Sequence, residues 1–176
     1  MYKRVLIPLD GSRLAEGILP FIFQIARPLD LEVVLVYVVR PIMPQAIEGT
    51  TQFTVYDIAA KLNEARNYLA PLAADLRRQG VRVTTDVRQG QPVAEIVAAA
   101  RETGAGLIAM TTHGRSGFGR LLFGSVAEAV LRQAEIPVLM MRLTERQMSR
   151  ATLEAAGRSR ASQVLSDDAV AYSQRR

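Results

Sequence analysis

The chain has no cysteine and no tryptophan, and it holds a single histidine among its 176 residues. Without cysteine it forms no disulfide and no thiolate metal site, and it has no thiol nucleophile. Aromatic residues make up only 6% of the chain, which is too few for the stacking platform that binds single-stranded nucleic acids. These absences exclude disulfide scaffolds and cysteine-based catalysis.

Long apolar runs are also absent. No run reaches the roughly 18 residues that cross a bilayer, because Arg27, Asp30 and Glu32 interrupt the longest candidate. The first residues lead at once into a short apolar segment and lack the cleavage pattern of a secretory leader. We therefore expect a cytoplasmic protein with no membrane partner.

The positive net charge of +5 is not concentrated in any block. Residues 1–142 carry 16 basic and 13 acidic side chains, and residues 143–176 carry the remaining six and four of the 22 and 17 in the chain. Nucleic-acid binding usually leaves a basic patch or stripe. We therefore expect no nucleic-acid partner.

Five short apolar runs predict β-strands. Two of them are almost continuously apolar, which is typical of parallel strands that are covered on both faces. The third run alternates between apolar and polar residues and is expected nearer an edge of the sheet. The runs are Arg4 to Leu9, Glu32 to Val39, Val81 to Val87, Leu107 to Thr112, and Pro137 to Arg142.

Helical periodicity separates these runs. The clearest helix is predicted from Pro92 to Glu102, with a proline in its first turn and a glycine after its end. A longer helix is predicted from Asp57 to Gln79, and Pro71 should kink it. A third is predicted from Arg13 to Ala26 with a bend at its own proline, Pro20.

A fourth helix is predicted to begin at Ser125. The Ser125 hydroxyl and the Glu128 carboxylate have the spacing of a capping box, in which each side chain accepts a hydrogen bond from the other residue's amide.

This alternation of strands and helices predicts an α/β fold. Right-handed crossovers turn it into an open, mostly parallel five-stranded sheet with helices on both faces, a Rossmann-like arrangement. Ligands of such sheets bind beyond the carboxyl ends of the strands, where the winding direction reverses. Residues 41–55 are expected to form a loop near that edge. Residues 144–176 are either a partner-binding helix or a mobile tail.

The segment from Thr111 to Ser125 carries the chemistry, because it joins a strand to a helix and is rich in glycine. Gly114, Gly117 and Gly119 permit backbone conformations that let main-chain amides converge on an anion. Gly124 then precedes a helix whose first amides are free and whose dipole favours negative charge.

Two arginines, Arg115 and Arg120, add positive charge to this segment. The segment is therefore a candidate phosphate site. Its glycines are equally those of an ordinary connection that serves turns and the start of a helix.

These residues give the chain a resemblance to the universal stress protein family. The nucleotide motif of that family is a glycine, two residues, a glycine, nine residues, and then Gly-Ser or Gly-Thr. Gly114 and Gly124 have the nine-residue spacing, and Ser125 follows. Thr111 stands where the motif has its first glycine, so a hydroxyl side chain would lie beside the phosphates.

The resemblance extends over residues 2–142. Val5 to Ser12 is similar to the first strand of the family and its Asp-x-Ser turn, and Pro137 to Arg142 is similar to its last strand. The division that follows is a nucleotide-binding domain of the adenine nucleotide alpha hydrolase-like type at residues 1–142 and a C-terminal extension at residues 143–176.

The resemblance implies that the chain binds ATP or a related adenine nucleotide as a regulatory ligand. It assigns adenosine to Asp10 and the backbone around Pro8 and Val38, and it assigns the phosphates to the glycine-rich segment. The predicted nucleotide-binding residues are Pro8, Leu9, Asp10, Ser12, Val38, Thr111, His113, Gly114, Arg115, Gly117, Gly124, Ser125 and Val126.

From the residues alone, Asp10 has another reading, as the N-cap of the helix near Arg13 or as a turn residue with Gly11. A magnesium ion that accompanies the nucleotide would be held by the phosphates, and the sequence encodes no metal site of its own.

No catalytic residue is predicted. His113 is the lone histidine and has no carboxylate at triad or ligand spacing, so an orienting role is expected. The chain also lacks the G-x-x-x-x-G-K-[ST] loop and the G-x-G-x-x-G turn. We therefore expect slow ATP hydrolysis at most.

The sequence leaves two alternatives open. One is a dimeric stress-response adaptor that binds no nucleotide, and the other is a slow ATPase or a phosphotransferase that uses Ser12, Ser116 or Ser125 as a phosphate acceptor. The resemblance further implies a homodimer through the last strand, near Val138 to Met141. An unknown protein partner could bind through the C-terminal extension.

Overall fold

A computed structural model describes residues 3–41, 53–112 and 124–143. Five parallel strands form one sheet in the order β3-β2-β1-β4-β5, with helices packed on it, so the predicted fold class is confirmed. The strands are β1 (Arg4–Leu9), β2 (Glu32–Val39), β3 (Arg82–Gln89), β4 (Leu107–Thr112) and β5 (Val138–Arg142). The helices are α1 (Arg13–Glu16), α2 (Leu19–Ala26), α3 (Phe53–Arg78), α4 (Pro92–Glu102) and α5 (Ser125–Gln133).

The sheet has a hydrophobic core on each face, because successive side chains of a strand point to opposite sides. On β1, Val5, Ile7 and Leu9 pack with α1, α2 and α3, and Leu6 packs with α4 and α5. All four of these side chains are buried. Both faces are therefore closed to solvent along the central strands, and open space remains at the strand ends.

The single helix predicted from Arg13 to Ala26 is divided in two. The first part ends at Glu16, and the second begins at Leu19 with Pro20 in its first turn. A proline has no N–H and cannot continue the hydrogen bonds of a preceding helix, whereas it is well tolerated in a first turn. The predicted bend is thus a break between two helices, located at Gly17 and Ile18.

The helix α3 begins earlier than predicted. It starts at Phe53, so the last three residues of the loop predicted at 41–55 are helical, and residues 42–52 lie outside the described residues. Its end at Arg78 is one residue short of the predicted Gln79. Two arginines occupy the last turn, and Gly80 follows with φ +86°. Basic side chains and a left-handed glycine are a common ending for a helix.

Two strand boundaries also differ slightly from the prediction. Strand β3 covers Arg82–Gln89 and not Val81 to Val87. Strand β5 begins at Val138 and not at Pro137, because a proline cannot donate a ladder hydrogen bond.

The two edges of the sheet differ in chemistry. Strand β3 is an edge, as its alternation predicted, and Arg88 on it pairs with Asp86 at 2.7 Å and with Glu102 of α4 at 2.6 Å. Strand β5 is the opposite edge and carries four half-buried apolar side chains from Val138 to Met141. Among the described residues, no helix combines the length and the apolar character that crossing a membrane requires.

Candidate functional site

Strands β1 and β4 pair only at their beginnings. Their ladder holds Val5 against Leu107 and Leu6 against Ile108, whereas β1 pairs with β2 along its whole length. Pro8 lies on β1 just beyond the last β1–β4 pair, and its missing N–H favours the end of a ladder. The carboxyl half of β4 is thus paired with β5 on one side and separated from β1 on the other.

This separation lies where the order of the strands reverses direction. From β1 the chain adds β2 and β3 on one side, and it then adds β4 and β5 on the other side. A cavity of about 290 Å³ occupies the position. Ligand sites of open α/β sheets are found at this place. Nine of the predicted residues line the cavity: Pro8, Leu9, Asp10, Ser12, Val38, Thr111, Gly124, Ser125 and Val126.

The amino end of α5 forms one end of the cavity. Gly124 is the N-cap residue, and among the residues that the structure describes no side chain accepts a hydrogen bond from the amides of the first turn. The predicted capping box is therefore wrong, because Ser125 is the first helical residue and Glu128 pairs with Arg132 one turn later. The amides of residues 125–127 have no partner within the helix, and they form a donor set for an anion.

The turn after β1 forms the facing wall. The Ser12 amide donates to Asp10 Oδ1 at 2.9 Å, and Gly11 between them has φ +81°, a conformation that favours glycine. The Ala15 amide donates to Ser12 Oγ at 3.1 Å, so Ser12 is the N-cap of α1. Asp10 is thus a turn residue, and the alternative reading of Asp10 as the N-cap is wrong.

An apolar wall completes the cavity. Val36, Ile96 and Met110 are buried side chains that contribute to it, and Arg40 adds a cation at the end of β2. The sequence reasoning missed all four of these residues. A period-two pattern could have found Val36, since it lies two residues before Val38 on the same face of β2. The complete set of missed residues is Leu14, Ala15, Val36, Arg40, Pro92, Ile96, Met110 and Ala127.

Four predicted residues, His113, Gly114, Arg115 and Gly117, lie outside the described residues, so their contribution stays a prediction. Thr111, which replaces the first glycine of the motif, is half-buried and lines the cavity. Within the described ranges, no three acidic or histidine side chains are grouped so that they could hold a metal ion.

Comparison with known proteins agrees with this architecture. The model of the universal stress protein family matches residues 1–142. Universal stress protein MJ0531 of Methanocaldococcus jannaschii is 34% identical over 144 residues, which is 81% of this chain and 83% of that protein.

Two solved structures show the same fold. The structure of MJ0577, from the same organism, has a TM-score of 0.69 at 29% identity and covers 82% of this chain and 99% of its own. A universal stress protein from Archaeoglobus fulgidus, solved in complex with dAMP, has a TM-score of 0.57 at 25% identity and covers 79% and 97%. The chain belongs to the universal stress protein family.

Proposed function

We propose that this chain binds ATP or a related adenine nucleotide in the cytoplasm as a regulatory ligand of a stress response. The observation that carries the proposal is the cavity between β1 and β4. The cavity is lined by the first turn of α5, whose amides have no partner within the helix, by an apolar wall, and by the Asp10 turn. Phosphates bind to free amides at the start of a helix, and a purine ring packs against an apolar wall. The dAMP complex of the Archaeoglobus fulgidus relative supports the same class of ligand.

The phosphates are assigned to the amino end of α5. The amides of Ser125 and Val126 are free of helix partners and lie where the dipole of α5 is positive. Gly114 and Arg115 of the family motif would complete this end of the site.

The adenosine is assigned to the other end of the cavity. Val36, Val38 and Ile96 offer an apolar surface for the base. The Asp10 carboxylate holds its turn through one oxygen, and a carboxylate has further lone pairs that accept from a ribose hydroxyl or an adenine amino group.

Turnover is proposed to be slow at most. Fast phosphoryl transfer needs an oriented water molecule and a placed charge for the transition state. Asp10 is the one carboxylate among the described residues that line the cavity, and the assignment above uses it for adenosine. Magnesium would be carried by the phosphates.

Calorimetric titration with magnesium ATP tests the proposal, after any co-purified nucleotide has been removed. The wild type should bind, and Gly124→Val should lose at least about tenfold in affinity, or 1.4 kcal/mol, because a branched side chain at the N-cap crowds the phosphate end. The melting curve of the variant without ligand serves as the control for folding. A stripped wild type that does not bind ATP would favour the adaptor function instead.

We further propose that the chain acts as a homodimer paired through β5. The half-buried apolar side chains from Val138 to Met141 lie on an edge strand whose outer backbone groups face no strand of the same sheet. Such an edge is prone to uncontrolled pairing, and a defined dimer removes that risk. The C-terminal extension at residues 143–176 is proposed as a contact for a protein partner.

A further inference from the structure

A second cavity of about 590 Å³ adjoins the first. The two cavities share Asp10, Val38 and Arg40, so both open at the carboxyl end of β2. The second lies on the opposite face of the sheet, between β2 and α3, where Ala65 and Tyr68 line it. The three shared residues therefore form the boundary between the two cavities.

The shared residues are at the end of the first cavity that is remote from α5. If the phosphates lie at Gly124 and Ser125, the base lies toward Val38 and Arg40. The sugar of an adenine nucleotide is attached at N9, and the exocyclic N6 amino group is on the opposite side of the ring. The N6 edge of the base thus points to the boundary with the second cavity.

The wall of the second cavity is aromatic and held in place. The rings of Tyr37 and Tyr68 meet edge to face, with centroids 5.6 Å apart at 68°. The Tyr68 hydroxyl donates to Glu16 Oε1 at 3.0 Å. Burial, and then the Glu16 carboxylate, raises the pKa of this hydroxyl above its usual range, so it remains a neutral donor.

The size of the second cavity depends on a small residue. Ala65 is 2% exposed and lines the cavity. Its neighbours in the lining on α3 are the charged Lys61 and the aromatic Tyr68. A methyl side chain at this position leaves open the space that a longer one would occupy. The cavity is also lined by four charged residues, Asp10, Arg40, Lys61 and Glu64. The part that suits a hydrocarbon group is the apolar and aromatic wall formed by Ala65, Tyr37 and Tyr68.

We propose that the second cavity receives an aryl or alkyl substituent on the N6 amino group of a bound adenine nucleotide. The inference rests on the proposed nucleotide function and names a ligand class for it. A singly substituted amino group keeps one N–H, which can still donate to Asp10. The substituent then passes Arg40 and packs against the Tyr37 and Tyr68 rings.

The test compares N6-benzyl-ATP with ATP by calorimetry on three proteins. The wild type should bind the benzyl nucleotide at least as tightly as ATP. Ala65→Met fills part of the second cavity, so it should weaken N6-benzyl-ATP by about tenfold and leave ATP within about twofold. Ala70→Met places the same side chain at an exposed position of α3 and should behave as the wild type.

Three results would overturn the inference, and they differ from one another. Weak binding of N6-benzyl-ATP to a wild type that binds ATP well would show that the base end is closed. An equal loss of both nucleotides in an Ala65→Met variant whose melting curve matches the wild type would show that the second cavity holds no substituent. If ATP itself does not bind, the proposed function fails and the inference fails with it.

Discussion

Ser12 and Ser125 both follow a glycine at the start of a helix, and they use their hydroxyls differently. The Ser12 hydroxyl accepts from the Ala15 amide and caps α1. Ser125 is already inside α5, because Gly124 takes the N-cap position. The same Gly-Ser dipeptide thus gives α1 a side-chain cap from Ser12, whereas the first turn of α5 has no cap from Ser125.

Alanine substitutions should separate these two roles. Ser12→Ala should lower the free energy of unfolding by about 1 kcal/mol, the usual cost of a lost N-cap. Ser125→Ala should change that free energy by less than about 0.5 kcal/mol, because no capping bond is lost, and should still bind ATP, because alanine keeps the backbone amide assigned to the phosphates. Urea unfolding and calorimetric titration of both variants measure the two effects. A larger stability loss in Ser125→Ala than in Ser12→Ala would contradict the assignment of the caps.

Glu102 should make the stability of the chain depend on pH. A hydrogen bond from Arg88, and then its charge, holds the pKa of Glu102 below its ordinary value of 4.5. The ionised carboxylate therefore stabilises the fold above that ordinary value, and the contribution is lost as the pH falls through the lowered pKa. Glu102→Gln should be less stable than the wild type at neutral pH, and the difference should vanish in acid.

Urea midpoints at neutral and acid pH measure this difference. Glu135→Gln is a matched control, since it changes an exposed glutamate that has no ion pair among the described residues. A deficit in Glu102→Gln that persists unchanged in acid would show that the ion pair is not its source.

At the scale of the elements, the break between α1 and α2 contains a closely packed glycine, Gly17. Gly17 has an ordinary helical φ of −61°, so its backbone does not require glycine. The position is crowded instead, because a Cβ on Gly17 would overlap the Leu143 side chain, which is 4% exposed. The residue after β5 is thus packed into the break between α1 and α2.

Gly17→Ala should therefore lower the free energy of unfolding by about 1 to 3 kcal/mol, the usual cost of overpacking. In a Leu143→Ala background the same change should cost much less, because the overlapping atoms are gone. Chemical denaturation of the two single variants and the double variant measures the coupling. Equal costs in both backgrounds would mean that Leu143 does not crowd this position.

The elements also show how far the sequence alone could predict this structure. All five strands were predicted, because a short apolar run between two helical patterns fits few structures other than a strand. The helix from Arg13 to Ala26 was predicted as one piece with a bend at Pro20, since its periodicity continues through Gly17 and does not show whether a proline bends a helix or divides it. The separation of β1 from β4 was also invisible, because a ladder depends on two distant segments.

The candidate site was predictable where a motif carries the residues. The Asp10 turn and the Gly124-Ser125 step both line the cavity. The apolar wall was missed at Ile96 and Met110, because buried apolar residues in a strand or helix look the same whether they face a core or a ligand.

At the scale of the whole molecule, pairing through β5 predicts a particle of twice the chain mass of 19.3 kDa. Met141→Lys places a charge on this edge and should give a monomer, because burying an unpaired charge is costly. Leu131→Lys changes an exposed apolar residue of α5 and should leave the dimer intact. Light scattering after size exclusion measures the mass. A monomeric wild type, or a dimeric Met141→Lys variant, would refute this interface.

The difference between the two sheet edges determines how large such an assembly can become. In the proposed dimer, the apolar edge at β5 would pair with a second copy of itself, and that pairing would use the edge completely. The opposite edge at β3 carries Arg82 and Arg88, charged side chains of the kind that discourage further strand addition. Under the proposed pairing, growth would stop at two copies, and a chain rich in β-branched strands would avoid polymerising into fibres.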